Sequence, residues 1–360
     1  MENSIRRLLG IFCGIFLAAS IQAQQTVPAV KNVILMIGDG MGLTQVSAAM
    51  LESPQPLALE RAAFTGFAKT YSADSKITDS AAGGTALATG HKTNNGYIGM
   101  DPEKRPLKTI LERAEEKGLA TGLVATYEIT NATPASFIAH NESRKNEEEI
   151  ALDFLKTGID LFIGGGKRKF DRRNDGKDLL KELQAKGYRT VYTLDDVKSI
   201  DRGKVAALLA DGHLPRIRAG RGDMLPEATR QALTILKNNN PEGFFVMIEG
   251  SQIDGGGHAN EGETIVAELL DFDTAIREAF DFADRNPSTL VVVTADHETG
   301  GFSLPASRQD KTVPGYKFGT SGHTAVMVPV YAYGTGAEQF TGIMENTDIP
   351  KKIAALLRLE

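Results

Sequence analysis

The stretch VILMIGDGMG (33–42) decides how the rest of the chain is read. Five apolar residues of strand length run without alternation, which fits a strand buried on both faces. They stop at a glycine, an aspartate and more glycine. Similar runs recur at GLVAT (122–126), LFI (161–163), FFVMI (244–248), LVVVT (290–294) and AVMVPVYAY (325–333). Helical patterns lie between them: PLKTILERAEEKG from Pro106 to Gly118, DLLKELQAKG ending at Gly187, and AELLDFDTAIREAFDFADRNP ending at Pro287. Doubly buried strands alternating with helices predict an α/β fold, a three-layer α/β/α sandwich around a mainly parallel sheet. In such sheets ligands collect beyond the carboxyl ends of the strands.

The segments at the ends of these runs are rich in acids and histidines. GDGMG comes after the first, EGSQIDGGGH after FFVMI, ADHETGG after LVVVT, and a Gly-His pair precedes the last. Asp39, Glu249, Asp254 and Asp296 fall in these segments, with three of the six histidines, His258, His297 and His323. Carboxylates so concentrated repel one another and take up protons unless cations intervene. Histidine mixed with carboxylate suits zinc, and oxygen-only donors suit magnesium. Asp254 and His258 are separated by three glycines that let the backbone bend around an ion.

A second feature is TDSAAGGTALATG (78–90), in which small residues come after Ser80. A serine hydroxyl needs a base or a metal to become a nucleophile. No G-x-S-x-G elbow and no histidine stands nearby in sequence. A helix starting there would aim its N-terminus at an anion.

Composition narrows the classes. The formal charge is −6, one unit more negative without Glu2, Arg6 and Arg7, which does not mark a nucleic-acid binder. Arg6 and Arg7 precede LLGIFCGIFLAAS, which is too short to span a bilayer and ends near a small-residue cleavage site. Residues 1–23 are read as a cleaved secretory signal and 24–360 as one catalytic domain, periplasmic or extracellular and without a membrane anchor after cleavage. The single cysteine, Cys13, lies in that leader, so the mature chain has no thiol chemistry.

GDGMG, TDSAAGGTALATG, ATPASFIAHNESRK, EGSQIDGGGH, TADH and GHT, in this order from about Lys31 to Tyr333, resemble the motif set of the alkaline phosphatases. The resemblance implies Ser80 as the nucleophile that becomes phosphoserine and Arg144 as the clamp on two phosphate oxygens. It implies Asp254, His258 and His323 on one zinc, Asp39, Asp296 and His297 on a second that contacts the serine, and Asp39, Thr133 and Glu249 on magnesium. It further implies two Zn2+ and one Mg2+ per chain, phosphate monoester substrates and a homodimer. Such ions would acidify the Ser80 hydroxyl and outweigh the carboxylates, matching a monoester dianion.

Two positions depart from the family pattern. Asn131 stands where aspartate or histidine is usual, and Gly255 where lysine, histidine or tryptophan is common. Weaker phosphate binding and a looser magnesium site are expected. Asp79 is read as a turn or helix-cap residue, and His91, His140 and His213 as packed or exposed residues that bind no ion. LFIGGGKRKF is read as a strand followed by a solvated loop, and Glu147 to Glu149 as a helix N-terminus. Sulfatases require a C/S-x-P-x-R nucleophile sequence, whereas Ser80 is followed by Ala-Ala-Gly. Superfamily diesterases generally use threonine and lack the equivalent of Arg144. A phosphate-binding protein without turnover has no use for a nucleophile. Only 25 residues separate His297 from His323, which predicts an open, permissive site.

Overall fold

The computed structural model describes residues 29–307, 309 and 314–359; the expected signal segment lies outside them. Ten strands form one sheet: β1 (Asn32–Gly38), β2 (Phe64–Lys69), β3 (Ala120–Glu128), β4 (Leu161–Gly165), β5 (Arg189–Val191), β6 (Val205–Leu208), β7 (Phe244–Gly250), β8 (Thr289–Thr294), β9 (Val328–Gly334) and β10 (Gly342–Glu345). Their spatial order is β10-β2-β9-β8-β1-β7-β3-β4-β6-β5. Every neighbouring pair is parallel except the two that involve β9.

The central strands are buried along almost their whole length, as their continuous apolar runs require. Helices cover both faces, giving the expected three layers. Gly262–Arg285 packs with Met224–Asn239 over one face, while Ser80–Thr89, Ile110–Glu116 and Asp348–Leu357 belong to the other. Among the described residues no helix is long and apolar enough to cross a membrane.

All six expected strands are present, although β9 begins at Val328 rather than at residue 325. The four strands without an apolar run are short or sit toward the margins of the sheet. β2 alternates exposed and buried residues, β5 has three residues, and β6 reads VAAL. The helix expected from Pro106 starts at Ile110 instead. Thr109 accepts from the Glu112 amide, and the Glu112 side chain accepts from the Thr109 amide, a reciprocal cap that sets the true start.

The reversed direction of β9 matters for function. Tyr331 pairs with Val293 in antiparallel register, so the start of β9 lies at the carboxyl ends of its neighbours. His323, which precedes a strand, thereby joins residues that come after strands. Glu298–Thr299 pairs with His323–Thr324 as a small antiparallel ribbon that holds it there.

Candidate metal centre

β1 lies between β7 and β8, with Ile37 level with both Glu249 and Thr294. The chain leaving β1 therefore places Asp39 between the two other acid-bearing segments. It turns at once, with Gly40 at φ +71°, and a Cβ at Gly40 would lie 2.8 Å from the Asp254 Cα. Only glycine permits both the left-handed turn and the close approach.

Two donor clusters result: Asp254, His258 and His323, and Asp39, Asp296 and His297, each with donor atoms within 4.8 Å of one another. In the first, His258 Nδ1 is 2.6 Å from the Ser321 carbonyl and His323 Nδ1 is 2.8 Å from the Thr78 carbonyl. A carbonyl only accepts, so both Nδ1 atoms carry the proton. Both Nε2 atoms are then bare lone pairs, yet they stand 3.2 Å apart and 3.3 and 3.6 Å from Asp254 oxygens. Lone pairs converging in this way fit a shared cation.

In the second cluster, His297 Nε2 is 3.1 Å from Ser80 Oγ, 3.1 Å from Asp296 Oδ2 and 3.5 Å from Asp39 Oδ1. A serine–histidine–aspartate relay would use opposite ring nitrogens for the serine and the acid. Here one nitrogen faces both, so the arrangement is that of metal donors around a hydroxyl. Asp296 Oδ1 accepts from the Gly40 and His297 amides, which leaves Oδ2 turned inward.

An oxygen-only group lies beside them. Thr133 Oγ1, both Glu249 oxygens, Asp39 Oδ1 and Asp296 Oδ2 are buried without hydrogen-bond partners. Buried polar groups are rarely left so, and a hard cation satisfies them. Without one, burial first, and then Asp296, Asp254 and Glu249, drive the Asp39 carboxyl well above its ordinary range. Burial, with Asp296 and Asp254 adding to it, pushes Glu249 up to about 8. Burial also opposes ionisation of Asp296, but His297 outweighs it and holds that carboxyl low. The donor set therefore fits bound cations, on its chemistry and on its orphaned atoms.

Ser80 is the first residue of the Ser80–Thr89 helix, and Asp79 caps it by accepting from the Ala82 amide at 2.9 Å. The other Asp79 oxygen accepts from the Gly96 amide at 3.0 Å and from Arg144 at 3.2 Å. One carboxylate thus aligns the helix and the arginine together. The small residues after Ser80 serve packing: the helix is wholly buried, and a Cβ at Gly83 would come within 3.1 Å of Asp296.

All the expected donors and Ser80 gather at this sheet edge, and Arg144 is tied to them through Asp79. His91, His140 and His213 lie outside both clusters. His140 bridges Glu112 and the Gly99 carbonyl, and His213 stacks on Tyr127. Glu147 to Glu149 do open a helix, and the loop expected after LFIGG contains the short helix Arg168–Asp171. Asn131 caps the Ala132–Ala135 turn by accepting from the Ala132 amide.

Sequence reading missed Thr299. Its hydroxyl donates to Asp254 Oδ1 at 2.5 Å and lies 3.2 Å from His297 Nδ1, linking the two clusters. Its position two residues after His297 was the available signal.

A mainly parallel α/β sandwich with two nitrogen–carboxylate clusters and an adjoining oxygen site defines a metal-dependent enzyme. Residues 30–317 match the family model described as alkaline phosphatase. The chain is 36% identical to alkaline phosphatase 3 of Bacillus subtilis (strain 168), over 91% of this chain and 89% of the relative. The structure of alkaline phosphatase from the Antarctic bacterium TAB5 matches with a TM-score of 0.89 at 42% identity, over 93% of this chain and 100% of that one. A variant of that enzyme, with magnesium bound in its M3 site, matches with the same TM-score, identity and coverage. The chain belongs to the alkaline phosphatase family and is a metal-dependent phosphoric monoester hydrolase.

Proposed function

We propose that Ser80 is the nucleophile, that it is transiently phosphorylated, and that the eight donor residues hold two zinc ions and one magnesium ion. The observation that carries this reading is the placement of Ser80 Oγ 3.1 Å from His297 Nε2, the nitrogen on which Asp39 and Asp296 also converge. Asp254, His258 and His323 would hold one zinc, Asp39, Asp296 and His297 the other, and Asp39, Thr133 and Glu249 the magnesium. When bound, the ions supply positive charge that acidifies a hydroxyl and stabilises a leaving oxygen.

Ser80 Oγ, having lost its proton, bonds to phosphorus as the ester oxygen leaves with the bonding pair and takes a proton. Water then attacks phosphorus, losing a proton to solvent, and inorganic phosphate departs with Ser80 restored. Arg144 holds two non-bridging oxygens through its fork of donors. A diester has one of those oxygens esterified, which favours monoesters. The Ser80 helix directs its positive end at the phosphoryl charge.

Residues 1–23 are read as the export signal and 24–360 as the catalytic domain, working outside the cytoplasm as a homodimer. The relationship to bacterial alkaline phosphatases supports this reading of location. The test is hydrolysis of an aryl phosphate from pH 6 to 11 after chelation and remetallation, beside a matched diester and a sulfate ester. Activity on the monoester, restored by zinc and lost in Ser80→Ala, is expected. Full activity in Ser80→Ala would overturn the nucleophile assignment, and restoration by magnesium alone would overturn the zinc assignment.

A further inference from the structure

Gly255 sits next to Asp254 on the helix Gln252–Ala259, between the donor residues Asp254 and His258. A Cβ built at Gly255 would stand 2.7 Å from the Tyr127 hydroxyl and 3.4 Å from an Arg216 nitrogen, while the Tyr127 ring carbon behind the hydroxyl is 3.9 Å away. The space that a side chain at 255 would enter is therefore taken by one phenolic oxygen and one guanidinium, reaching it from distant parts of the chain.

Both are held there. The Tyr127 amide donates to Ser251 Oγ at 3.2 Å, and its ring stacks on His213 at 4.1 Å between centroids. Arg216 donates to the Gly255 carbonyl at 3.1 Å and to Glu261 at 2.8 Å. The segment bearing Arg216 is pinned in turn. Gln252 donates to the Leu214 and Pro215 carbonyls, the Ile217 amide donates to Glu268, and buried Arg221 joins Glu268, Asp271 and the Pro215 carbonyl. Removing one partner from such a buried charged network is costly, so the segment has little freedom to swing away.

The Tyr127 hydroxyl has no hydrogen-bond partner among the described residues. The hydroxyl lies against Gly255, which follows Asp254 and precedes His258, and so stands beside the carboxylates of the donor clusters. Those carboxylates are committed when cations are bound, and Arg216 offers only donors. An anionic oxygen entering the pocket is a stronger acceptor for it than water.

We propose that the Tyr127 hydroxyl donates to the phosphoryl group of substrate and product, directly or through one water. The inference rests on the phosphate-monoester reading of the site. It replaces the expectation that Gly255 leaves this side of the pocket without a phosphate-directed group.

The test uses metal-loaded protein and inorganic phosphate titrated by calorimetry. Tyr127→Phe is expected to weaken phosphate binding about ten-fold, the scale of a hydrogen bond to a charged group. KM for an aryl phosphate should rise in parallel, with zinc and magnesium content unchanged. Phosphate affinity within about two-fold of the parent, on the same scale of error, would overturn the proposal. A second measurement needs no turnover. Gly255→Ala should lower the melting temperature of the metal-free protein in the parent background and not in the Tyr127→Phe background, where the clashing oxygen is gone. Equal loss in both backgrounds would overturn the placement. Because binding is read by heat, absence of turnover with phosphate binding still sensitive to Tyr127 would reject the hydrolytic role of Ser80 and leave this inference standing.

Discussion

The Nε2 atoms of His258 and His323 lie 3.2 Å apart, each with its Nδ1 turned to a backbone carbonyl. The two protons are thereby committed away from the pocket, and the rings oppose lone pair to lone pair. Burial and the neighbouring His297 lower the His323 pKa, so protonation of that ring is a poor escape from this repulsion. The fold holds a site whose strain is relieved by an ion.

Chelation should therefore destabilise the protein as well as silence it. A ligand at a thousand times its dissociation constant stabilises by about 4 kcal/mol per site. The melting temperature should fall by about 5 °C or more on metal removal and return with zinc. Calorimetry with and without chelator reads this, and an unchanged melting temperature would contradict it.

Asp79 carries two tasks that substitution can separate. Asp79→Ala loses the cap on the Ser80 helix, about 1 kcal/mol, together with the Arg144 contact. Asp79→Asn can keep the cap through its amide oxygen, but its NH2 would face the Gly96 amide and Arg144, two donors. Stability should recover in Asp79→Asn while KM stays raised about ten-fold or more. Thermal melts and kinetics on both variants decide it.

Thr299→Val keeps the shape of the side chain and removes the hydroxyl shared by Asp254 and His297. Partners that orient metal donors typically govern affinity by about 10- to 100-fold. Zinc affinity should fall within that range in competition with a chromogenic chelator, with the fold retained by circular dichroism.

A pH effect is expected away from the metal centre. Glu128 is buried beside Glu147, and burial first, then Glu147, raises its pKa to about 7. A carboxyl raised on folding binds more protons in the native state, so stability falls as pH rises from its unfolded value, about 4.3, to about 7. Glu128→Gln should flatten that part of the stability curve. Urea denaturation at pH 5 and pH 8 measures it: an undiminished slope in the variant would assign the dependence to other groups.

The reach of the sequence depends on the range of the interactions involved. Continuous apolar runs report burial on both faces, because each residue must leave water on its own account. That made β1, β3, β4, β7, β8 and β9 legible, and with them the layered α/β class. Glycine-padded acids and histidines at the ends of those runs were legible as donors for the same reason, since their chemistry belongs to single side chains. The strand β2, with its half-exposed FTGFAK, carries no such signal, and its pairing depends on β9 lying alongside it. The direction of β9 was equally hidden. Only the tertiary structure turns it antiparallel and so brings His323 to His258 across 65 residues. It alone places the Tyr127 hydroxyl against Gly255, because a close approach between distant segments is set by packing and leaves no mark on either segment's composition.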